Sequence, residues 1–206
     1  MTRHLNVLVA ESHPGLAASD IAALEAAGHT VHRCYEPGQR GFPCTAVHGE
    51  PCPLDGPIDV AYLHRLPMTP RATPLEDGIR CAVRQDVPVV EHGTSLLDPF
   101  EPFVDVQVTD GNVVEAVESA AAHRYDPLQL DVLRRIGPLL QSAGISADHV
   151  TCRVVPNGLD LDIRLVIDAP EDARLDASLS VRALDAVRAA GRRFGHVGVS
   201  VDHRAI

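Results

Sequence analysis

LNVLVAESHPGLAASDIAALEAAGHTVHR, residues 5–33, decides the fold. It opens on a short apolar run, Leu5 to Ala10, as carried by a strand buried on both faces of a parallel sheet. Pro14 and Gly15 then open a helical segment through Ala27, with Leu16, Ile21 and Leu24 as its apolar stripe and Gly28 as its stop. His29 to Tyr35 reads as a second strand. Strand, helix and strand in so short a stretch make one βαβ unit, the building block of a parallel sheet.

The alternation continues outward. Residues 36–57, rich in Pro and Gly, form a long loop, and such loops in compact domains tend to carry function. Ile58 to Leu63 is the third strand, and Pro67, Pro70 and Pro74 punctuate a second loop. Leu75 to Gln85 is expected as a helix, Val87 to Glu91 and Phe103 to Val108 as strands, and Asn112 to His123 as a helix capped by Asp110. The fold class is therefore α/β: a five-stranded, doubly wound parallel sheet over residues 1–124. Glu76 and Asp77 at a helix start are what the helix dipole favours.

Tyr125-Asp126-Pro127 reads as a boundary, and residues 128–206 have a different grammar. Leu128 to Ala143 is amphipathic, with Leu130, Leu133, Ile136 and Leu140 on one side. Val150–Val155 and Leu159–Ile167 alternate around Pro156-Asn157-Gly158, a strong hairpin signal. A helix over Leu179–Phe194 and a strand through Val197, Val199 and Val201 complete a small αββαβ domain, α+β in class, with both helices on one face of its sheet. Asp160, Asp162 and Arg164 opposite Thr151 and Arg153 predict a solvated sheet face of alternating charge, with a polar dimer surface as the alternative. Asp202 and His203 at the chain end could bind metal and read more simply as a frayed terminus.

Composition narrows the function classes. A net charge of −10 repels phosphate backbones and anionic lipid, so neither nucleic acid nor membrane is an expected partner. All basic residues are Arg, which removes any chemistry that needs a Lys. The one candidate basic cluster, Arg188 with Arg192 and Arg193, is flanked by acids and reads as a solvated helix end. With no apolar leader, the chain is expected in the reducing cytoplasm, where its five Cys are thiols, ligands or core filler and not a disulfide framework.

The stretch from Val7 to Arg33, "DVAYLH" at 59–64 and "VPVVEHGTS" at 87–95 together resemble response-regulator receiver domains over residues 5–123. The resemblance implies a flavodoxin-like sheet. It aligns Glu11 with the first acid of the family's pocket, Ser12 with its second, metal-binding acid, and His64 with the phosphoacceptor Asp. Thr94 and Ser95 fall near the family's switch residue, and the family's Lys has no counterpart. A receiver needs an anionic pocket for Mg²⁺, a carboxylate to phosphorylate and a balancing cation. The resemblance therefore implies the fold without the phosphoryl chemistry. Residues 128–206 have a topological likeness to small ferredoxin-like or metallochaperone-like modules, which implies a dimer or partner surface.

Ligands of doubly wound sheets bind beyond the carboxyl ends of the strands. Glu11, Ser12, His13, His64 and His92 fall there and are the candidate ligand-binding residues. Cys34 at the end of strand two, with Cys44, His48 and Cys52 in the long loop, add soft ligands; the three Cys are candidate ligands for zinc or iron, including an iron–sulfur centre, with structural filler and a Cys44–Cys52 redox disulfide as the other readings. Cys81, beside Ile79 and Val83 in a helix, and Cys152, in a hairpin strand, read as buried core. A Ser12–His13 dyad is disfavoured because neighbours on a strand point to opposite sides. Asp59 with Glu91 is a possible carboxylate pair, more simply read as two strand-edge acids. P-loop, GxGxxG, nucleophile-elbow and HExxH motifs are all missing.

Two functions follow as expectations. The first is a non-enzymatic regulatory or interaction protein that senses a metal, thiol state or small ligand and engages a protein partner or a second copy of itself. The alternative is a metal-dependent hydrolase or lyase working at the same sheet edge.

Overall fold

The computed structural model describes residues 4–35, 44–67, 69–93, 98–108, 111–191 and 194–204. The chain divides into two compact units, Met1–Arg124 and Tyr125–Ile206. Thr94, Ser95, Asp110, Arg192 and Arg193 lie outside the described residues.

The first unit is the expected doubly wound sheet. Its strands are β1 (Asn6–Glu11), β2 (Thr30–His32), β3 (Val60–His64), β4 (Val89–His92) and β5 (Val104–Val108). They are all parallel, in the order β2-β1-β3-β4-β5. The β1 run is buried from Val7 to Glu11 because strands flank it on both edges and helices cover both faces. Each fully buried Val or Leu there contributes about 1.5–3 kcal/mol of hydrophobic stabilisation. On one face, Val7, Val9, Val60, Tyr62 and Val90 pack with residues of α1 (Ala18–Ala26) and α3 (Val113–His123). On the other, Leu8, Ala10, Ala61, Leu63 and Val89 pack with Ile79 and Ala82 of α2 (Asp77–Arg84) and with Leu54 and Phe100. The strand order reverses between β1 and β3, and the carboxyl ends of those two strands are where such sheets place ligands.

Several local expectations are corrected. The cap of α3 is Asn112, whose side chain accepts the Glu115 N–H. Cys81 is exposed: the buried side of α2 is Gly78, Ile79 and Ala82, and Cys81 falls outside that stripe. Glu76 does stand at the start of α2, as the dipole reading has it, but it is fully buried and reaches an arginine as well. Asp59 accepts the Asn6 N–H at the start of β3, whereas Glu91 lies near the other end of β4, so they form no pair.

The second unit runs α4 (Asp126–Ser142), β6 (Val150–Asn157), β7 (Asp160–Ile167), α5 (Ala173–Ala189) and β8 (Val197–His203). β6 and β7 are an antiparallel hairpin about Gly158, and β8 runs parallel to β7. Both helices pack on Cys152, Leu161, Ile163, Leu165 and Ile167. The α4 stripe is Leu128, Val132, Ile136 and Leu140, a spacing of four that leaves Leu130 exposed, contrary to expectation. α5 starts at Ala173, earlier than its apolar pattern, because the Asp172 carboxylate accepts the N–H groups of Arg174 and Leu175. On the sheet, Arg153 lies directly across from Arg164, so like charges meet where alternation of opposite charges was expected. His203 is not frayed: its Nδ1 meets the Ala169 carbonyl at 2.9 Å and its Nε2 the Asp176 carboxylate at 2.9 Å. Among the described residues no helix is long and apolar enough to cross a membrane.

Candidate functional site

The register of β1, β3 and β4 sets Glu11 beside His64 and His64 beside His92 at the carboxyl end of the sheet. Side chains alternate along a strand, so Tyr62 and His64 share the α1 face, as do Val90 and His92. The two imidazoles stack, with centroids 4.3 Å apart and planes 26° from parallel.

Asp20, on α1, lies beneath them. Its Oδ2 is 2.6 Å from His64 Nδ1, 2.7 Å from the Tyr62 hydroxyl and 3.8 Å from His92 Nδ1. Tyr62 also lies 3.1 Å from His92 Nδ1. Burial raises the Tyr62 pKa, and the hydrogen bond and charge of Asp20 raise it further, so Tyr62 stays a phenol and donates to Asp20. One proton cannot serve two bonds. The His92 contact is then an Nδ1–H donated to the phenol oxygen, just as His64 Nδ1–H is donated to Asp20. Both rings are partly open to solvent, His64 at 16% and His92 at 28% side-chain exposure. Asp20, His64 and His92 each offer a ligand atom, and these atoms all lie within 4.8 Å of one another. Two imidazoles and a carboxylate suit Zn²⁺ or Fe²⁺.

Glu11 does different work. Its carboxylate accepts N–H bonds from Gly15 and Ala17 and the Tyr35 hydroxyl, which pins the turn into α1. That turn fixes where Asp20 stands, one helical turn further on. Ser12 is buried and ties β1 to the segment after β3: its N–H donates to the His64 carbonyl and its Oγ accepts the Leu66 N–H. Ser12 Oγ also lies 3.1 Å from His13 Nδ1, so these neighbours do meet, contrary to expectation, because the strand ends at Glu11 and the chain turns. His13 itself is exposed and outside the Asp20 group.

The other face at the same strand ends is closed. Arg65, fully buried, places Nε 2.7 Å from Glu76, donates Nη1 to Asp98 at 2.6 Å and Nη2 to the Thr69 carbonyl at 2.8 Å. Its guanidinium stacks over Phe100 at 5.6 Å. Glu91 is pushed up to about 9 by burial first, then by its hydrogen bond to Asp98 and that group's charge. It is therefore protonated at neutral pH and donates to Asp98. Asp98 is buried against its own charge, yet the bonds from Glu91, the Phe100 N–H and Arg65 lower its pKa. Gly93 closes the corner: a Cβ there would stand 2.1 Å from the Arg65 carbonyl oxygen.

The thiols stand apart from the imidazoles. Cys34 and Cys52 pack against the apolar cluster on the α2 face, and Cys44 is half-buried. Cys152 is core in the second unit, as expected.

Asp20, Tyr62 and the Arg65 network carry no sequence motif. A signal for Asp20 does exist: Ala17, Asp20 and Leu24 follow helical spacing and all are buried, so an acid sits within an apolar stripe. Tyr62 stands two residues before His64 in an apolar strand, on its side of the sheet. In comparisons with known proteins, no family model matches this chain and no curated protein is similar to it, so its function is read from its own residues.

Proposed function

We propose that the chain is a non-enzymatic, cytoplasmic regulatory protein whose first unit is a receiver-like domain that binds a divalent transition metal in place of receiving a phosphoryl group. The observation that carries the reading is the group of Asp20, His64 and His92, drawn from three elements to within 4.8 Å at the switch point of the sheet. The receiver's magnesium chemistry does not fit these residues. Ser12 and His64 stand where carboxylates are required, and the Glu11 oxygens are committed to Gly15, Ala17 and Tyr35. Imidazole nitrogen favours a borderline metal over magnesium. Tyr62 would hold Asp20 in place from the outer shell, as hydrogen-bonded partners of ligands do. Metal would then tie α1 to β3 and β4, and a protein partner or second copy would read that change.

The test is a titration with Co²⁺, followed by its visible ligand-field bands, and competition by Zn²⁺. Wild type should bind one ion. His64→Ala and Asp20→Asn should each abolish the bands, and Tyr62→Phe should weaken binding about 10–100-fold. Equal binding by wild type and His64→Ala would end the proposal.

Three protein ligands leave coordination positions open, and that favours a metal-dependent hydrolase or lyase as the second reading. Metal-dependent turnover abolished by His64→Ala would select it.

A further inference from the structure

The two edges of the second unit's sheet are not alike. Its strand order, β6-β7-β8, leaves β6 and β8 each with one unpaired side. Backbone N–H and C=O groups alternate in direction along a strand, so the register tells which of them face outward. The Asp168 N–H donates to the His149 carbonyl, which turns the odd-numbered residues of β6 towards β7 and the even-numbered ones to the free side. That side is guarded. The Val154 N–H donates at 3.1 Å to the side-chain oxygen of Gln129 on α4, and Pro156 has no N–H to offer.

β8 has no such guard. The Leu161 N–H donates to the His196 carbonyl and the Arg204 N–H to the Ile167 carbonyl, so the even-numbered residues here face β7. Val197, Val199, Val201 and His203 therefore turn their N–H and C=O groups outward. Among the described residues, no further backbone bond reaches them. The strand holds no proline and its register on β7 is unbroken. Its carboxyl end is pinned by the His203 ring, held between the Ala169 carbonyl and the Asp176 carboxylate. Val197, Val199 and Val201 pack towards the helices but are only partly buried, whereas Leu161, Ile163, Leu165 and Ile167 of β7 are fully buried. A long, straight, unguarded edge flanked by apolar side chains is a template for another strand.

We propose that a second copy of this chain covers that edge, its β8 pairing antiparallel with β8 about a two-fold axis at Val199, so that the two sheets become one. The surface lies wholly in the second unit and does not depend on the Asp20–His64–His92 reading.

The register favours a second copy over an unrelated extended peptide. With Val199 against its own counterpart, Val197 stands opposite Val201, and their outward N–H and C=O groups exchange bonds. The partly buried valines then continue across the axis on the helix side. On the outer side, the same pairing sets Asp202 opposite His196 and Ser200 opposite Gly198. Asp202 and His196 are both exposed, and they meet as carboxylate and imidazole. Gly198 is where Asp162 reaches across from β7: a Cβ there would stand 2.7 Å from the Asp162 Oδ1. The Ser200 hydroxyl of the second copy thus arrives beside a carboxylate to which it can donate. Sliding the axis to Ser200 would set Asp202 against Gly198 and His196 against Arg204, and the complementarity would be lost.

The test is sedimentation of the full chain over a range of concentrations, with amide exchange followed residue by residue. A particle of twice the 22.1 kDa chain mass is expected. The amides of Val197, Val199 and Val201 should gain protection as concentration rises, and that of Cys152, on the guarded edge, should not. Asp202→Arg sets a guanidinium against His196 and should raise the dissociation constant about tenfold, and adding His196→Glu should restore it. Both positions are exposed, so both variants should keep the wild-type circular dichroism. His64→Ala should dimerise as wild type does. A wild type that stays monomeric at about 1 mM, where even a weak complex with about 4 kcal/mol of binding energy forms, would overturn the proposal. So would a dimer equally tight in Asp202→Arg, or concentration-dependent protection confined to residues outside β8.

Discussion

At the ends of β3 and β4, neighbouring residues go to opposite faces and meet opposite fates. His64 and His92 reach the α1 face, where they remain partly exposed. Arg65 and Glu91 reach the α2 face, where Glu76, Asp98 and backbone carbonyls enclose them. Both sets are polar and both sit at the ligand-binding edge of the fold. The difference is saturation. The arginine network pairs its own charges inside the protein, so it acts on stability. The imidazole group stays partly open to solvent, as the proposed binding role requires.

Breaking the closed side should have the largest effect. Arg65→Met leaves Glu76 and Asp98 buried without their cation and should cost about 3–5 kcal/mol in urea unfolding. A loss below 1 kcal/mol would mean that water already reaches the pair and that the two faces are alike.

Glu91 sharpens the contrast through pH. Its carboxyl holds its proton to about 9 in the folded chain, against an ordinary value of 4.5. Between those values the unfolded chain has lost a proton that the folded chain keeps. Glu91 therefore favours folding most below 4.5, and stability drains away as pH climbs towards 9. Glu91→Gln keeps a donor for Asp98 without an ionisable group. It should flatten that decline and raise stability at pH 8 by roughly 1–3 kcal/mol. Parallel stability–pH curves for variant and wild type would refute the assignment.

On the open side, Tyr62→Phe removes the hydroxyl between Asp20 and His92 and should cost about 1–2 kcal/mol in thermal or urea unfolding. His92→Ala should cost least, under about 1 kcal/mol, because the ring is partly exposed. It should nonetheless abolish Co²⁺ binding. A large stability loss in His92→Ala would make the imidazoles structural, and the contrast would fail.

The fold was legible where local grammar and global topology agree. Leu5–Ala10, Ile58–Leu63 and Val87–Glu91 are apolar enough to require burial on both faces, and Asn157-Gly158 turns the hairpin between β6 and β7. His64 and His92 were legible because they follow such runs directly. Asp20, Arg65 and Glu76 were not, since a buried charge leaves no periodic trace and becomes reasonable only once its partner is known. Cys81 and Leu130 were misplaced for a related reason. An apolar neighbour suggests burial, but on a helix one step along the chain turns a residue by about 100° and can carry it to water.

Gly93 carries a consequence for tolerance to change. It offers no side chain to the site, yet any side chain there would collide with the peptide oxygen of Arg65. A saturation library across residues 90–93 should therefore reject nearly every replacement at Gly93 while accepting several at His92 as folded protein. The most constrained position in the segment would then be the one without chemistry.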